Sequence, residues 1–252
     1  MSIKPVIAVT LFNRPSYTRI LFNALSKCYG VSDVPVVISQ DWNNECEAQC
    51  VEVRDIANAF LTSHSGGGEY FCNNPKLGID LNKLFVIPKA FERGDAVIFL
   101  EDDMGSLSQD TLNYFIAMGN KFKDDLSVAS ISGYNRLSAS QWAQRRGEVY
   151  GVERCKGFVP WGFLVWRDRW DKMFADNAER YLRETGTQAN GLFDHNWHEQ
   201  GYDYIRPVIG RTNHVGGENA THTPSAEWLR EHEFCPFGAW SLDVPNDSTA
   251  WD

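Results

Sequence analysis

No stretch of this sequence approaches the roughly 20 consecutive apolar residues that a membrane-spanning helix needs. Met1-Ser2-Ile3-Lys4 runs straight into a candidate strand without the apolar core of a secretory leader, so a cytoplasmic protein is expected. Basic residues are few: 24 Lys and Arg stand against 33 Asp and Glu, a net charge of −9 that disfavours a broad nucleic-acid footprint. No basic amphipathic helix points to a membrane surface. The six cysteines are scattered, and Cys46-x-x-x-Cys50 lacks a second pair at metal spacing, so a zinc site is not expected. His195, His198 and His214 likewise lack the HExxH spacing of zinc hydrolases. Internal repeats and low-complexity segments are absent. Aromatics are plentiful, with nine Trp and fifteen Phe, and most of the Trp fall after the midpoint. They suit stacking on sugar rings or bases as well as core packing.

The 252 residues suffice for one large α/β domain. Apolar β-branched runs predict strands at 6–11, 35–39, 96–100 and 127–133. Helical spacing of apolar residues predicts helices from Ser16 to Cys28 and over 44–61, 78–91 and 107–122. Residues 63–69, with three successive glycines, read as a flexible loop. Strands alternating with helices at this spacing imply a mostly parallel sheet. Residues 1–133 are expected to form a nucleotide-binding half, and 134–252 an acceptor-binding and catalytic half of the same domain.

The junction Ala96-Val97-Ile98-Phe99-Leu100-Glu101-Asp102-Asp103 is the most informative point. A strand buried on both faces ends where an α/β sheet opens to ligand. Burying three adjacent carboxylates unpaired would cost several kcal/mol, and a divalent cation bridging to a diphosphate is the usual remedy. Asp103 is the expected metal ligand, with Glu101 and Asp102 facing sugar or ribose hydroxyls. Arg14 and Asp41 also follow strand ends, where an Arg can hold a phosphate or base carbonyl and an Asp can accept from a base or ribose. Asp194, between Phe193 and His195-Asn196-Trp197, is either a base with a raised pKa or a helix N-cap. The segment Arg211 to His222 is either a polar loop over a diphosphate, with Thr221 and His222 supplying donors or a metal contact, or a plain surface loop.

These residues, in this order, resemble the GT-A glycosyltransferases, and within them the N-acetylglucosaminyltransferase I family. The resemblance covers most of the chain, through Asn13-Arg14, Ser39-Gln40-Asp41, the acidic triplet, Asn113-Tyr114-Phe115 and Gly162-Phe163-Leu164. It continues through Phe193-Asp194, Arg206-Pro207 to Arg211-Thr212, and the Gly216 to His222 loop. It implies a Rossmann-like mixed, mostly parallel sheet flanked by helices. It also implies an inverting transferase using a UDP-sugar and Mn²⁺ or Mg²⁺. On this likeness Asp103 is the metal ligand, and Glu101 and Asp102 are sugar or ribose contacts. Arg14 and Asp41 are uridine contacts, Asp194 is the catalytic base, and Thr221 lies in a loop over the diphosphate. The anchor and stem of the animal enzymes have no counterpart, which leads to the expectation of a bacterial or viral cytoplasmic protein. The acceptor is then a glycan or another hydroxylated molecule, a modified DNA base included. Two other readings are a non-catalytic nucleotide-sugar or glycan-binding module and a sugar nucleotidyltransferase. Phe12-Asn13-Arg14-Pro15 counts against the second, because it lacks the glycine-rich loop of such synthases after strand one.

Overall fold

A computed structural model describes residues 2–174, 201–215 and 238–251. Strands β1 (Pro5–Leu11), β2 (Val36–Asp41), β3 (Gly68–Asn73) and β4 (Ala96–Glu101) alternate with helices α1 (Pro15–Leu25), α2 (Glu47–Ser63) and α3 (Ile79–Phe91). A short β5 (Ser106–Leu107) precedes α4 (Thr111–Phe122), β6 (Val128–Ser132), α5 (Ala139–Arg145) and β7 (Val152–Cys155). β8 (Phe163–Trp166), α6 (Arg167–Phe174), β9 (Asp203–Pro207) and β10 (Thr212–Asn213) follow. Among the described residues the main sheet has eight strands in the order β3-β2-β1-β4-β8-β6-β9-β7. β1 pairs parallel with β2 and β4, as do β2 with β3 and β6 with β9. β8 is antiparallel to both β4 and β6, and β7 to β9.

The period-two alternation of a strand sorts the apolar runs onto two faces. Ile7 and Val9 of β1, with Ile38, Ile98 and Leu100, pack with Leu21 and Leu25 of α1, Val53 of α2 and Phe115 of α4. Val6 and Ala8, with Val37, Val97 and Phe99, pack against Val86, Ile87, Ala90 and Phe91 of α3. Fully burying each large apolar side chain contributes about 1.5–3 kcal/mol. The central strands are therefore the rigid base of whatever stands at their ends.

Two expectations are corrected. The loop expected at 63–69 ends early, because Gly68 already pairs with Val36 and begins β3. β3 is an edge strand with a half-exposed face, so it shows no apolar run. The helix expected from residue 107 begins at Thr111, since Ser106 and Leu107 pair antiparallel with Asn213 and Thr212. The short strands β7 to β10 lie in the half that shows no regular periodicity.

Thr212 is the pin of that half. A Cβ at Gly133 would come within 2.6 Å of its Cγ2, and one at Gly162 within 2.8 Å. Gly162 also has φ +78, a left-handed conformation that glycine adopts without a steric penalty. The backbone N–H groups of Arg211 and Thr212 donate to Gly133 O at 2.7 and 3.1 Å. Two close-packed turns thus fix the segment that leads to His214.

Candidate active site

β4 lies beside β1 in parallel register, with Thr10 opposite Glu101, so their C-terminal ends open at one level. The acidic triplet begins at that end. Met104 N donates to Glu101 O at 3.0 Å and tightens the turn. Asp102 and Asp103 are 4% and 7% exposed, too buried to be a solvated acidic turn.

The chain itself supplies a cationic partner for each carboxylate. Lys83 of α3, 1% exposed, places Nζ 3.1 Å from Glu101 Oε1. Arg14, at the N-terminus of α1, donates from Nε to Asp102 Oδ2 at 3.0 Å and from Nη2 to Asp102 Oδ1. The same Nη2 donates to Asp103 Oδ2 at 2.9 Å. His214 Nε2 lies 3.1 Å from Asp103 Oδ2, and Val215 N donates to Asp103 O at 2.8 Å. The Trp161 ring lies 5.3 Å from the His214 ring and walls this side. Lys83, Arg14 and His214 thus offset part of the triplet's charge from within the chain.

The electrostatics separate the two aspartates. Burial pushes Asp102 up to about 6, against the pull of Arg14. Burial acts the same way on Asp103, but hydrogen bonds and charge from His214 and Arg14 outweigh it and hold that carboxyl below its usual range. Burial lowers His214 while Asp103 raises it more, so the net direction is up. A buried carboxylate kept ionised beside an imidazole is an anionic oxygen and a nitrogen donor side by side.

Among the described residues, no group of three or more His, Cys, Asp or Glu side chains is arranged to hold a metal ion. Mg²⁺-type sites, however, take one or two protein ligands and fill the remaining positions with water and substrate phosphates. Asp103 fits that pattern as the carboxylate ligand, and His214, once its Nε2 is released from Asp103, would supply an imidazole nitrogen beside it.

Asp41 sits at the neighbouring strand end, 5% exposed. Its carboxylate is engaged within the chain: Leu77 N and Gly78 N donate to it at 3.1 and 2.7 Å, and Asn73 Nδ2 at 3.1 Å. Asp41 thus shapes the loop that starts α3. In the first turn of that helix, Asp80 Oδ1 is buried without a hydrogen-bond partner. Arg14, Asp41 and the triplet are thus brought to one edge, while Asp194, Thr221 and His222 lie outside the described residues.

Sequence reasoning missed Lys83 and His214 as members of the site. Lys83 falls in line with Val86, Ile87 and Ala90 at helical spacing, a buried-face signal for a charged residue. His214 falls in the Arg211 to His222 segment read as a polar or surface loop, but its pairing with Asp103, 111 positions away, has no local signal.

No protein-family model matches the chain, and no curated protein matches it by sequence. Solved structures do. A mannosyltransferase from Pyrobaculum calidifontis, in complex with GDP-Man and Mn²⁺, is similar with TM-score 0.53 and 14% identity, over 82% of this chain and 55% of that one. The chain thus spans about half the length of that enzyme. Galactosyltransferase LgtC, in complex with donor and acceptor sugar analogs, gives TM-score 0.49 and 13% identity over 96% of this chain and 98% of that one. Residues 1–349 of S. aureus TarS give 0.44 and 13%, over 80% and 60%. The fold is the GT-A fold of nucleotide-sugar transferases, a mixed α/β sheet flanked by helices.

Proposed function

We propose that this protein is a metal-dependent inverting glycosyltransferase of the N-acetylglucosaminyltransferase I kind. It transfers a sugar from a UDP-sugar to an acceptor hydroxyl. The observation that carries the reading is the meeting of Asp103, His214 and Arg14 at the edge where β1 and β4 end. Crevices at strand C-termini are where open α/β sheets take ligands.

In this reading Asp103 and His214 would hold a Mn²⁺ or Mg²⁺ ion. When bound, the ion supplies Lewis acidity and neutralises charge on the departing UDP. Arg14 adds a guanidinium that can pair with phosphate oxygens in bidentate fashion. Glu101, steadied by Lys83, and Asp102 accept hydrogen bonds from sugar or ribose hydroxyls. Asp41 fixes the backbone of Leu77 and Gly78 under the uridine, and the unpartnered Asp80 Oδ1 accepts from a base N–H. Thr221 and His222 donate to the diphosphate. Asp194 removes the proton from the acceptor hydroxyl as its oxygen bonds to the anomeric carbon, and the bond from that carbon to the diphosphate oxygen breaks. Inversion follows because no side chain intervenes as nucleophile. A positioned base contributes about 10²–10⁴-fold. Residues 1–133 carry most of the donor contacts, and 134–252 carry the base.

The test is UDP release from a panel of UDP-sugars with Mn²⁺ and glycan acceptors. Asp194→Asn is expected to keep donor binding while transfer falls by about 10²-fold or more. Near wild-type turnover in that variant would remove Asp194 from the role of base.

A further inference from the structure

Beside the acidic edge, on the α1 side, lies a groove of about 420 Å³ that the chemistry above does not use. This volume is within the range of small-molecule sites, roughly 300–1,000 Å³. One wall is α1. Its core-facing positions are Thr18, Leu21, Phe22 and Leu25, while Ile20 and Asn23, with Lys27 in the turn just past its end, line the groove. Ile20 is 43% exposed, an apolar residue with no part in the core. The opposite wall is the segment carrying Trp240 and Asp243. A Cβ at Gly238 would come within 2.2 Å of the Trp240 ring, so the indole is seated tightly against the backbone. At one end Tyr29 OH donates to Gln109 Oε1 at 2.7 Å and lies 3.2 Å from Val244 O, fixing a further lining side chain.

The lining describes its occupant. An isoleucine on one wall and an indole on the other supply apolar surface, beside the amides of Asn23 and Gln109 and the opposed charges of Lys27 and Asp243. Opposed charges disfavour a strongly anionic ligand such as a nucleotide, and the polar rim disfavours a lipid chain. A pyranose matches: apolar C–H faces for the ring, and hydroxyls for amides and charges. Seating Trp240 in advance reduces the ordering cost of binding.

The groove also touches the proposed reaction centre. Gly105 in its floor is two residues from Asp103. A Cβ there would come within 2.4 Å of Ile20 Cγ2 and 2.8 Å of Val215 Cγ2, the residue after His214. We propose that this groove is an acceptor subsite that binds a sugar ring of a neutral oligosaccharide, one or more residues from the ring that reacts. The proposal rests on the glycosyl-transfer reading and narrows its acceptor class from any hydroxylated molecule to an oligosaccharide.

The experiment is saturation-transfer NMR on the full chain with neutral di- to tetrasaccharides of hexose and N-acetylhexosamine, for the wild type, Trp240→Ala and Asn23→Ala. At least one oligosaccharide is expected to bind the wild type, with Kd raised tenfold or more in each variant. Asn23 is exposed on a helix, so its variant folds even if Trp240→Ala does not. No binding by any oligosaccharide, or equal binding by wild type and Asn23→Ala, overturns the subsite. UDP with Mn²⁺ is titrated into the same samples. Should the nucleotide fail to bind while saccharide binding still falls in the variants, the donor reading is lost and the saccharide groove stands.

Discussion

Replacing Asp110 by Ala strands one of the most deeply buried charges in the molecule. Arg211 is 0% exposed, and its Nε lies 2.9 Å from Asp110 Oδ1, itself 1% exposed. The guanidinium also donates to Ile209 O and Val149 O at 2.5 and 2.7 Å, and stacks 4.6 Å over the Trp251 ring. Asp110 additionally accepts from Ser108 Oγ at 2.6 Å. Removing one partner of a buried ion pair costs about 3–5 kcal/mol, because the other charge stays desolvated and unpaired. A domain of this size has about 5–15 kcal/mol in total. At about 2–4 °C per kcal/mol for this length, Asp110→Ala is expected to lower Tm by about 6–20 °C. The comparison is Asp55→Ala, which breaks the pair Arg54–Asp55, whose side chains are 41% and 63% exposed. That loss should stay within about 1 kcal/mol. Thermal and urea unfolding followed by circular dichroism measure both. A fall in Tm for Asp110→Ala no larger than that for Asp55→Ala would refute the reasoning. The consequence reaches the candidate site, because Arg211 O accepts from Ser108 N and Thr111 Oγ1 and so ties the strand before His214 to the start of α4.

Two further outcomes follow from other regions. Around β7, burial raises Glu153, but hydrogen bonds from Arg145 and Arg206 outweigh it and hold the carboxyl below its usual range; hydrogen bonds from Ser127 and Arg154 hold Asp125 down at about 2. Folded-state values below the unfolded ones mean that this stability is present above the ordinary carboxylate range near 4 and is lost as pH falls from there towards 2. Tm measured from pH 6 to pH 2.5 should fall more steeply for wild type than for Glu153→Gln, and parallel curves would contradict the role of the pair. Gly162→Ala must adopt φ +78 at a cost of about 1–2 kcal/mol and also displace Thr212, whereas Gly30→Ala at φ +74 meets nothing within 4 Å. Chemical denaturation should show the larger loss for Gly162→Ala, and equal losses would mean that Thr212 is not pinned there.

The strands β1, β2 and β4 were legible because burial on both faces demands continuous apolar runs, and those runs stand in the sequence at almost their true bounds. Edge strand β3 was not, since Gly-Glu-Tyr-Phe-Cys-Asn carries no such run and is defined by its pairing with β2. β8 lies in the half without regular periodicity, and its place between β4 and β6 is a long-range fact. In the site, the acidic triplet was legible from its position after a buried strand. Its neutralisation was not: Lys83, Arg14 and His214 reach it from three separate segments. Asp41 illustrates the converse, a residue whose position at a strand end was legible but whose carboxylate turns to backbone amides.

The central claim is that Asp103 and His214 form one end of a cation site completed by a donor diphosphate. Isothermal titration of UDP and GDP into the wild type, Asp103→Asn and His214→Ala, each with and without Mn²⁺, tests it directly. The account predicts that UDP binds the wild type with Mn²⁺, that omitting the ion weakens binding tenfold or more, and that each variant loses this dependence on the ion. Nucleotide binding that is equally tight without the ion, or unchanged in both variants, would contradict it.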